Sequence, residues 1–199
     1  MARPLIVLAS TSRYRRQLLE RLRLPFEVHA PRVDETPLPS EAPRETALRL
    51  AHAKAEDVAM RFPGAGAIVI GSDQTVDLDG HALGKPLTHE TALAQLQSLQ
   101  GRTVVFYTAL AVAGPAASRV QLDCVSTTVT FRNLASAQLD AYLRTDQPYD
   151  CAGAAKIESL GIALVETVES ADSTALIGLP LIQLTSMLAA VGIDVLAYP

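Results

Sequence analysis

Cysteine is scarce. Cys124 and Cys151 are the only two in 199 residues. That is too few for a secreted disulfide scaffold, and they read as two reduced thiols of a cytoplasmic protein. Zinc ligands are missing as well: His29, His52, His81 and His89 show no ligand spacing, and no Cys/His cluster occurs. Positive charge is in deficit. Lys+Arg 17 against Asp+Glu 21 leaves a formal net charge of −4, which argues against a protein that coats nucleic acid through bulk charge. Charged residues make up 19% and hydrophobic residues 49% of the chain, a balance that excludes disorder. No Gly-x-x-x-x-Gly-Lys-Ser/Thr is present, so a P-loop nucleotide hydrolase is excluded. Internal repeats and low-complexity stretches are absent too.

Long hydrophobic runs are few. Residues 4–9 are apolar, but they are too short for a signal-peptide core and lead straight into Arg13, Arg15 and Arg16. They read as a buried first strand. Residues 174–193 carry no charge over a length that could span a bilayer. Pro180 interrupts them, Gly178 and Gly192 dilute them, and Gln183, Thr185 and Ser186 mark a polar face. A half-buried helix starting at Pro180 fits better than a membrane span.

The remaining pattern alternates apolar runs with helical periodicity. Strands are expected at 5–9, 26–30 and 67–70, with a hairpin around 76–78 and the Asp79-Gly80 turn. Residues 103–112 and 120–131 form an antiparallel pair across a linker at 114–118, and 162–168 form a last strand. Helices are expected over 14–22, 43–61, 89–99, 137–144 (capped by Ser136) and 180–191. This order predicts an α/β protein with a mixed β-sheet flanked by helices. The length suits one domain, residues 1–199, with two lobes around a cleft.

Several residues stand where chemistry is expected. Six arginines (Arg3, Arg13, Arg15, Arg16, Arg21, Arg23) fall in the first 23 residues, opposed only by Glu20. Arginine in the first turn of a helix opposes the dipole unless an anion neutralises it, so Ser10 to Arg16 reads either as a phosphate site or as an ordinary Ser-capped helix with surface arginines. Asp73 follows the buried run 67–70, where that strand emerges, and is a candidate metal ligand or general base. Val33-Asp34-Glu35 lies in a proline-rich loop. Lys54 sits on the apolar stripe of its helix, between Leu50 and Val58, either as a snorkelling stem or as a charge aimed into a cleft. Lys85 is framed by Gly84 and Pro86, which fix its backbone. Cations for phosphates and carboxylates for a hard metal suit anhydride hydrolysis.

Eight blocks then occur in a recognisable order. They are Leu8-Ala9-Ser10-Thr11-Ser12 with Arg15-Arg16, Val33-Asp34-Glu35, Ala51-His52-Ala53-Lys54-Ala55, Gly71-Ser72-Asp73, Gly84-Lys85-Pro86, Phe106-Tyr107-Thr108, Cys151-Ala152-Gly153 and Gly178-Leu179-Pro180. Together they resemble the Maf family of nucleoside triphosphate pyrophosphatases, once described as septum-formation inhibitors. One departure is Arg13, where the family usually has proline. The resemblance implies an ITPase-like α/β fold, a Mg²⁺ or Mn²⁺ cofactor and often a homodimer. It also implies hydrolysis between the α- and β-phosphates of a nucleoside triphosphate substrate, with no stable nucleic acid and no membrane as partner. Carried over by position, Ser10, Arg15, Arg16 and Lys54 would hold phosphates. Glu35 and Asp73 would be the acidic, metal-holding pair, and Asp73, Glu35 and Lys85 the catalytic set.

Tyr14, Gln74 and Glu158 resemble the branch acting on 7-methyl-GTP, which has an aromatic residue, Gln and Glu at these positions. The branch acting on dTTP and UTP has Arg, Thr and Gln there. An aromatic face suits a cationic methylated purine, and a carboxylate suits guanine's N–H donors. The other readings are a dTTP/UTP pyrophosphatase, a non-catalytic nucleotide-binding regulator of cell division, and a DNA binder using the arginine cluster.

Overall fold

A computed structural model describes residues 4–63, 66–114 and 120–197. Its centre is a seven-stranded sheet of β1 (Ile6–Ala9), β2 (Glu27–Val28), β3 (Ile68–Leu78), β4 (His81–Leu83), β5 (Thr103–Ala113), β6 (Gln121–Phe131) and β7 (Val165–Ser170), in the order β2-β1-β3-β5-β6-β7 with β4 paired to β3. β1 (Ile6–Ala9) is buried on both faces and lies parallel to β2 (Glu27–Val28) and to β3 (Ile68–Leu78). A strand made wholly of apolar residues is what such a two-sided burial needs. β5 (Thr103–Ala113) runs antiparallel to β3, and β6 (Gln121–Phe131) antiparallel to β5. β7 (Val165–Ser170) closes the edge, antiparallel to β6. The mixed sheet expected from the sequence is therefore present.

Side chains alternate across the sheet, and each face finds its own cover. Ile6, Leu8, Ile68, Ile70, Leu110 and Val112 meet α1 (Arg13–Glu20) and α5 (Leu181–Ala190) through Leu18, Leu19, Leu184 and Leu188. On the opposite face Val7, Ala9, Val69, Ala109 and Ala111 meet α2 (Pro43–Ala59) through Ala47, Ala51, Ala55 and Val58. A second lobe forms where Val76, Val104, Phe106 and Val129 pack under α3 (His89–Leu99) and α4 (Ser136–Asp146).

The small residues of α2 let it sit unusually close to β3. A Cβ built on Gly71 would lie 2.3 Å from the Ala51 carbonyl oxygen and 2.8 Å from the Ala55 nitrogen. Only glycine fits beneath that helix.

Several boundaries differ from the sequence reading. The strand expected at 26–30 shrinks to the two residues of β2. The run 67–70 does not end at Gly71: β3 continues to Leu78, because β5 pairs with it from Val69 to Asp77. The hairpin partner is β4 (His81–Leu83). Ser136 is the first residue of α4, and Ala135 holds the cap position without a side-chain bond. Residues 160–164 form a 3₁₀ turn, so the last strand starts only at Val165. Of the linker expected at 114–118, residues 115–118 lie outside the described residues. No helix among the described residues is long and apolar enough to cross a membrane.

A segment without regular structure, residues 31–42, joins β2 to α2. Its end is tied to the helix by a two-pronged ion pair. Arg49 Nε donates to Glu41 Oε1 at 2.6 Å and Nη2 to Oε2 at 2.7 Å. Arg49, aided by the Leu38 N–H and the Thr46 hydroxyl, holds the Glu41 carboxyl down at about 2 from its ordinary 4.5.

Two outcomes are expected. Gly71→Ala pushes α2 off β3 and destabilises the protein by roughly 1–3 kcal/mol, the usual range for overpacking, read as a fall in Tm. The Glu41 pair adds stability at pH above about 4.5, and this is lost as pH falls toward about 2, because the unfolded chain takes up the proton first. The Tm difference between the parent protein and Glu41→Gln should therefore shrink across that interval.

Candidate functional site

A cleft of about 900 Å³ opens between the two lobes. Its position follows from the pairing of β3. β1 accompanies β3 only as far as Gly71, and β4 pairs with it only from Val76 onward. Between them Ser72–Thr75 carries no partner strand on that side among the described residues. Side chains of this stretch reach the cleft from both faces of the sheet: Asp73 on the α2 side, Gln74 on the other.

Lys54 is the centre of the first face. It projects from α2, and its side chain is only 5% exposed. Its ammonium donates to Asp73 Oδ1 at 2.7 Å and meets Glu35 Oε1 at 2.7 Å. The lysine is no snorkelling stem: its buried ammonium lines the cleft. Burial works against ionisation of Glu35, but the Lys54 hydrogen bond and charge, with Lys85 and Arg15 behind, outweigh it and hold its carboxyl below the usual range. Asp73 lies in mid-strand, not at a strand end. It is reachable because the neighbouring strand stops, which corrects the sequence reading.

The arginines separate. Ser12 caps α1 by accepting from the Arg15 N–H at 3.4 Å, and the buried Ser10 hydroxyl accepts from the Ser12 N–H at 3.1 Å. Arg15 turns into the cleft, where its Nε donates to the Gly178 carbonyl at 2.9 Å. Burial lowers its pKa, while the charges of Asp73 and Glu35 pull it upward. Arg16 points the other way. It is exposed and donates to Glu20 at 3.0 Å, one turn along α1, away from the cleft lining. One residue is about 100° of helix rotation, so the two arginines expected together on phosphate face different surroundings.

Lys85 lies exposed at the cleft mouth on the loop between β4 and α3. That loop is held on both sides of it. Gln95 Nε2 donates to the Gly84 carbonyl at 3.1 Å, and the Leu87 N–H donates to the Tyr149 carbonyl at 3.0 Å.

Tyr14, Gln74 and Glu158, the residues expected to set specificity, also line the cleft. Gln74 Nε2 approaches Thr108 Oγ1 at 2.9 Å and the carbonyls of Ala175 and Leu176 at 3.0 and 3.1 Å. Two carbonyls fix which end of the amide is nitrogen, so the Gln74 side chain offers its oxygen as an acceptor. Tyr14 is half-buried, and its hydroxyl accepts from Arg13 Nη2 at 2.6 Å. The Arg13 guanidinium also covers one face of that ring, 4.7 Å from its centre. Glu158 lines the cleft as an exposed side chain. Sequence reasoning missed Thr108 as the group that orients Gln74, although Thr108 stood in one of the quoted blocks. It also missed Ser72, whose hydroxyl shares the Gly178 carbonyl with Arg15 at 3.0 Å.

Both thiols are free. Burial pushes Cys124 up to about 11 and Cys151 to about 12, so neither is a thiolate nucleophile near neutral pH. Among the described residues no group of three or more His, Cys, Asp or Glu converges. The two-carboxylate set of Glu35 and Asp73 is the kind that Mg²⁺ accepts when substrate phosphates and water complete its shell.

The chain matches the family model described as Maf-like protein over residues 5–191. It is 59% identical to the 7-methyl-GTP pyrophosphatase of Thiobacillus denitrificans, over 98% of this chain and 96% of that one. It is 57% identical to the 7-methyl-GTP pyrophosphatase of Cupriavidus metallidurans, over 96% of this chain and 94% of that one. A solved structure, the Staphylococcus aureus Ham1 protein, aligns with 65% of this chain and 72% of its own length, at 17% identity and a TM-score of 0.46. The family match takes in every block that builds the cleft, and the chain belongs to the Maf family.

Proposed function

We propose that this protein hydrolyses 7-methyl-GTP to 7-methyl-GMP and diphosphate. The observation that supports this most is the union, in one cleft, of the Glu35–Lys54–Asp73 cluster with Tyr14, Gln74 and Glu158. Relatives that carry the 7-methyl-GTP name match over nearly the full chain.

The reaction forms a bond from a water oxygen to the α-phosphorus and breaks the bridge to the β-phosphate, so diphosphate leaves. Asp73 Oδ1 is engaged by Lys54, and its other oxygen orients the water and takes its proton. Arg15 and Lys85 meet the charge that grows on the leaving diphosphate, with Ser10 as a neutral donor beside them. Glu35 and Asp73 would hold a Mg²⁺ or Mn²⁺ ion, which when bound neutralises phosphate charge. Lys54 holds both carboxylates in place.

The base lies on the other face of β3. The Gln74 oxygen and the Glu158 carboxylate accept from guanine's N1–H and amino groups. A pyrimidine turns carbonyl oxygens toward the same acceptors and is repelled. Tyr14 stacks on the methylated purine with the face that Arg13 leaves free, a contact of about 0.5–2 kcal/mol with a cationic ring. A cytoplasmic homodimer belongs to the same proposal, with light scattering as its check.

Two results are expected. Asp73→Asn lowers diphosphate release by about 10²–10⁴-fold with the fold retained, the usual cost of losing a general base. Near-parental turnover removes Asp73 from the mechanism. In a panel of 7-methyl-GTP, GTP, UTP and dTTP, the methylated nucleotide has the highest kcat/KM. Glu158→Gln then narrows its lead over UTP, at roughly 1–3 kcal/mol for a mismatched polar group. Faster cleavage of UTP or dTTP points instead to the dTTP/UTP branch, and no release at all points to a binding protein.

A further inference from the structure

Glu35 poses a problem of placement. It stands on residues 31–42, which have no regular structure, and its side chain is 52% exposed. A carboxylate on a free segment of that length would spread over many positions, at an entropic cost each time it met Lys54. Something must hold it.

Arg49 is the group that spans the gap. From α2 it grips Glu41 through both carboxylate oxygens, and the same Nη2 donates to the carbonyl of Thr36 at 3.2 Å. Thr36 is the residue next to Glu35. Glu41 Oε2 also accepts from the Leu38 N–H at 3.1 Å and the Thr46 hydroxyl at 2.9 Å. Asp34 Oδ1 closes the turn by accepting from the Thr36 N–H at 2.9 Å. The segment is thus fastened to the helix that carries Lys54 at its end and beside Glu35 by Arg49, and at its start by Asp57 Oδ2, which accepts from the Arg32 N–H at 2.9 Å. The Glu41 side chain is only 8% exposed and that of Arg49 is 30% exposed, so water does not readily replace the pair. Neither residue lines the cleft.

We propose that Arg49 is a positioning residue for the reaction: through Glu41 and the Thr36 carbonyl it sets the Glu35 carboxylate against Lys54. The proposal rests on the role assigned above to Glu35. The chemistry requires arginine. A planar fork serves two carboxylate oxygens and a third acceptor together, whereas a lysine ammonium is a single charged point on a flexible stem.

The test uses Arg49→Lys and Arg49→Met, each alone and combined with Glu35→Gln. Two quantities are followed: diphosphate release from 7-methyl-GTP over a Mg²⁺ titration, and tryptic cleavage after Arg32 at the start of the segment. Arg49→Lys should lower kcat by about 10-fold or more, since small misplacements at a reacting centre cost up to about 10²-fold. It should also raise the Mg²⁺ concentration needed for half-maximal rate. In the Glu35→Gln background the same change should cost almost nothing further, the non-additivity of residues that act through one another. Arg49→Met should be cut after Arg32 several-fold faster than the parent.

Equal fractional losses in both backgrounds would overturn the proposal, because a general loss of stability acts whether or not Glu35 is present. So would parental kcat and Mg²⁺ dependence in Arg49→Lys, or unchanged cleavage in Arg49→Met. If Glu35→Gln turned over at the parental rate, the role assigned to Glu35 would fail, while faster cleavage of Arg49→Met would still uphold the latch.

Discussion

The buried ammonium of Lys54 is the constraint around which the cleft is arranged. A cation removed from water must be met by opposite charge or lose its proton. Here it is met twice, by Asp73 from the central strand and by Glu35 from an irregular segment. That double pairing brings three elements to one point. The helix has to lie close on the sheet, which Gly71 and the alanines of α2 allow. The irregular segment has to be fastened, which Glu41 and Arg49 do. One lysine against two carboxylates leaves a negative excess, while Arg15 and Lys85 add positive charge around it. Such a mixture of signs suits a triphosphate, whose oxygens need cations while its reaction needs a proton acceptor.

A second constraint comes from the pleat of β3. Consecutive residues face opposite sides of a strand, so Asp73 and Gln74 cannot serve one surface. The gap between β1 and β4 turns this into an arrangement for a nucleotide. A ligand crossing the open edge meets the charged cluster on one side and the Gln74 acceptor on the other. The amide is held by carbonyls of the 175–176 turn and by Thr108. That turn follows the β7 edge in sequence, so elements distant along the chain set which end of Gln74 faces the cleft.

Much of this was legible in the residues themselves. The apolar runs marked β1, β5 and β6, and the period of α2 put Lys54 on the buried stripe with Leu50 and Val58. What failed depended on partners far along the chain. Gly71 and Ser72 resemble a strand ending, yet β5 continues the pairing past them, so Asp73 sits in mid-strand. The basic first turn of α1 advertised an anion site without telling Arg15 from Arg16. The difference is set by the Gly178 carbonyl, which receives Arg15 from 163 residues away. Arg49 gave little sign of its part, because its partners lie in a loop with no periodicity to orient it.

In the proposed complex one nucleotide spans the open edge of β3, phosphates over the Lys54 cluster and base beyond Gln74. A crystal structure with Mg²⁺ and a 7-methyl-GTP analogue bearing a methylene between the α- and β-phosphorus atoms tests it directly. The α-phosphate should lie within one water molecule of Asp73, and the purine between Tyr14 and Glu158 with its donors toward the Gln74 oxygen. A nucleotide lying the other way, with its base over Asp73 and Glu35, or one bound outside the cleft, would contradict it.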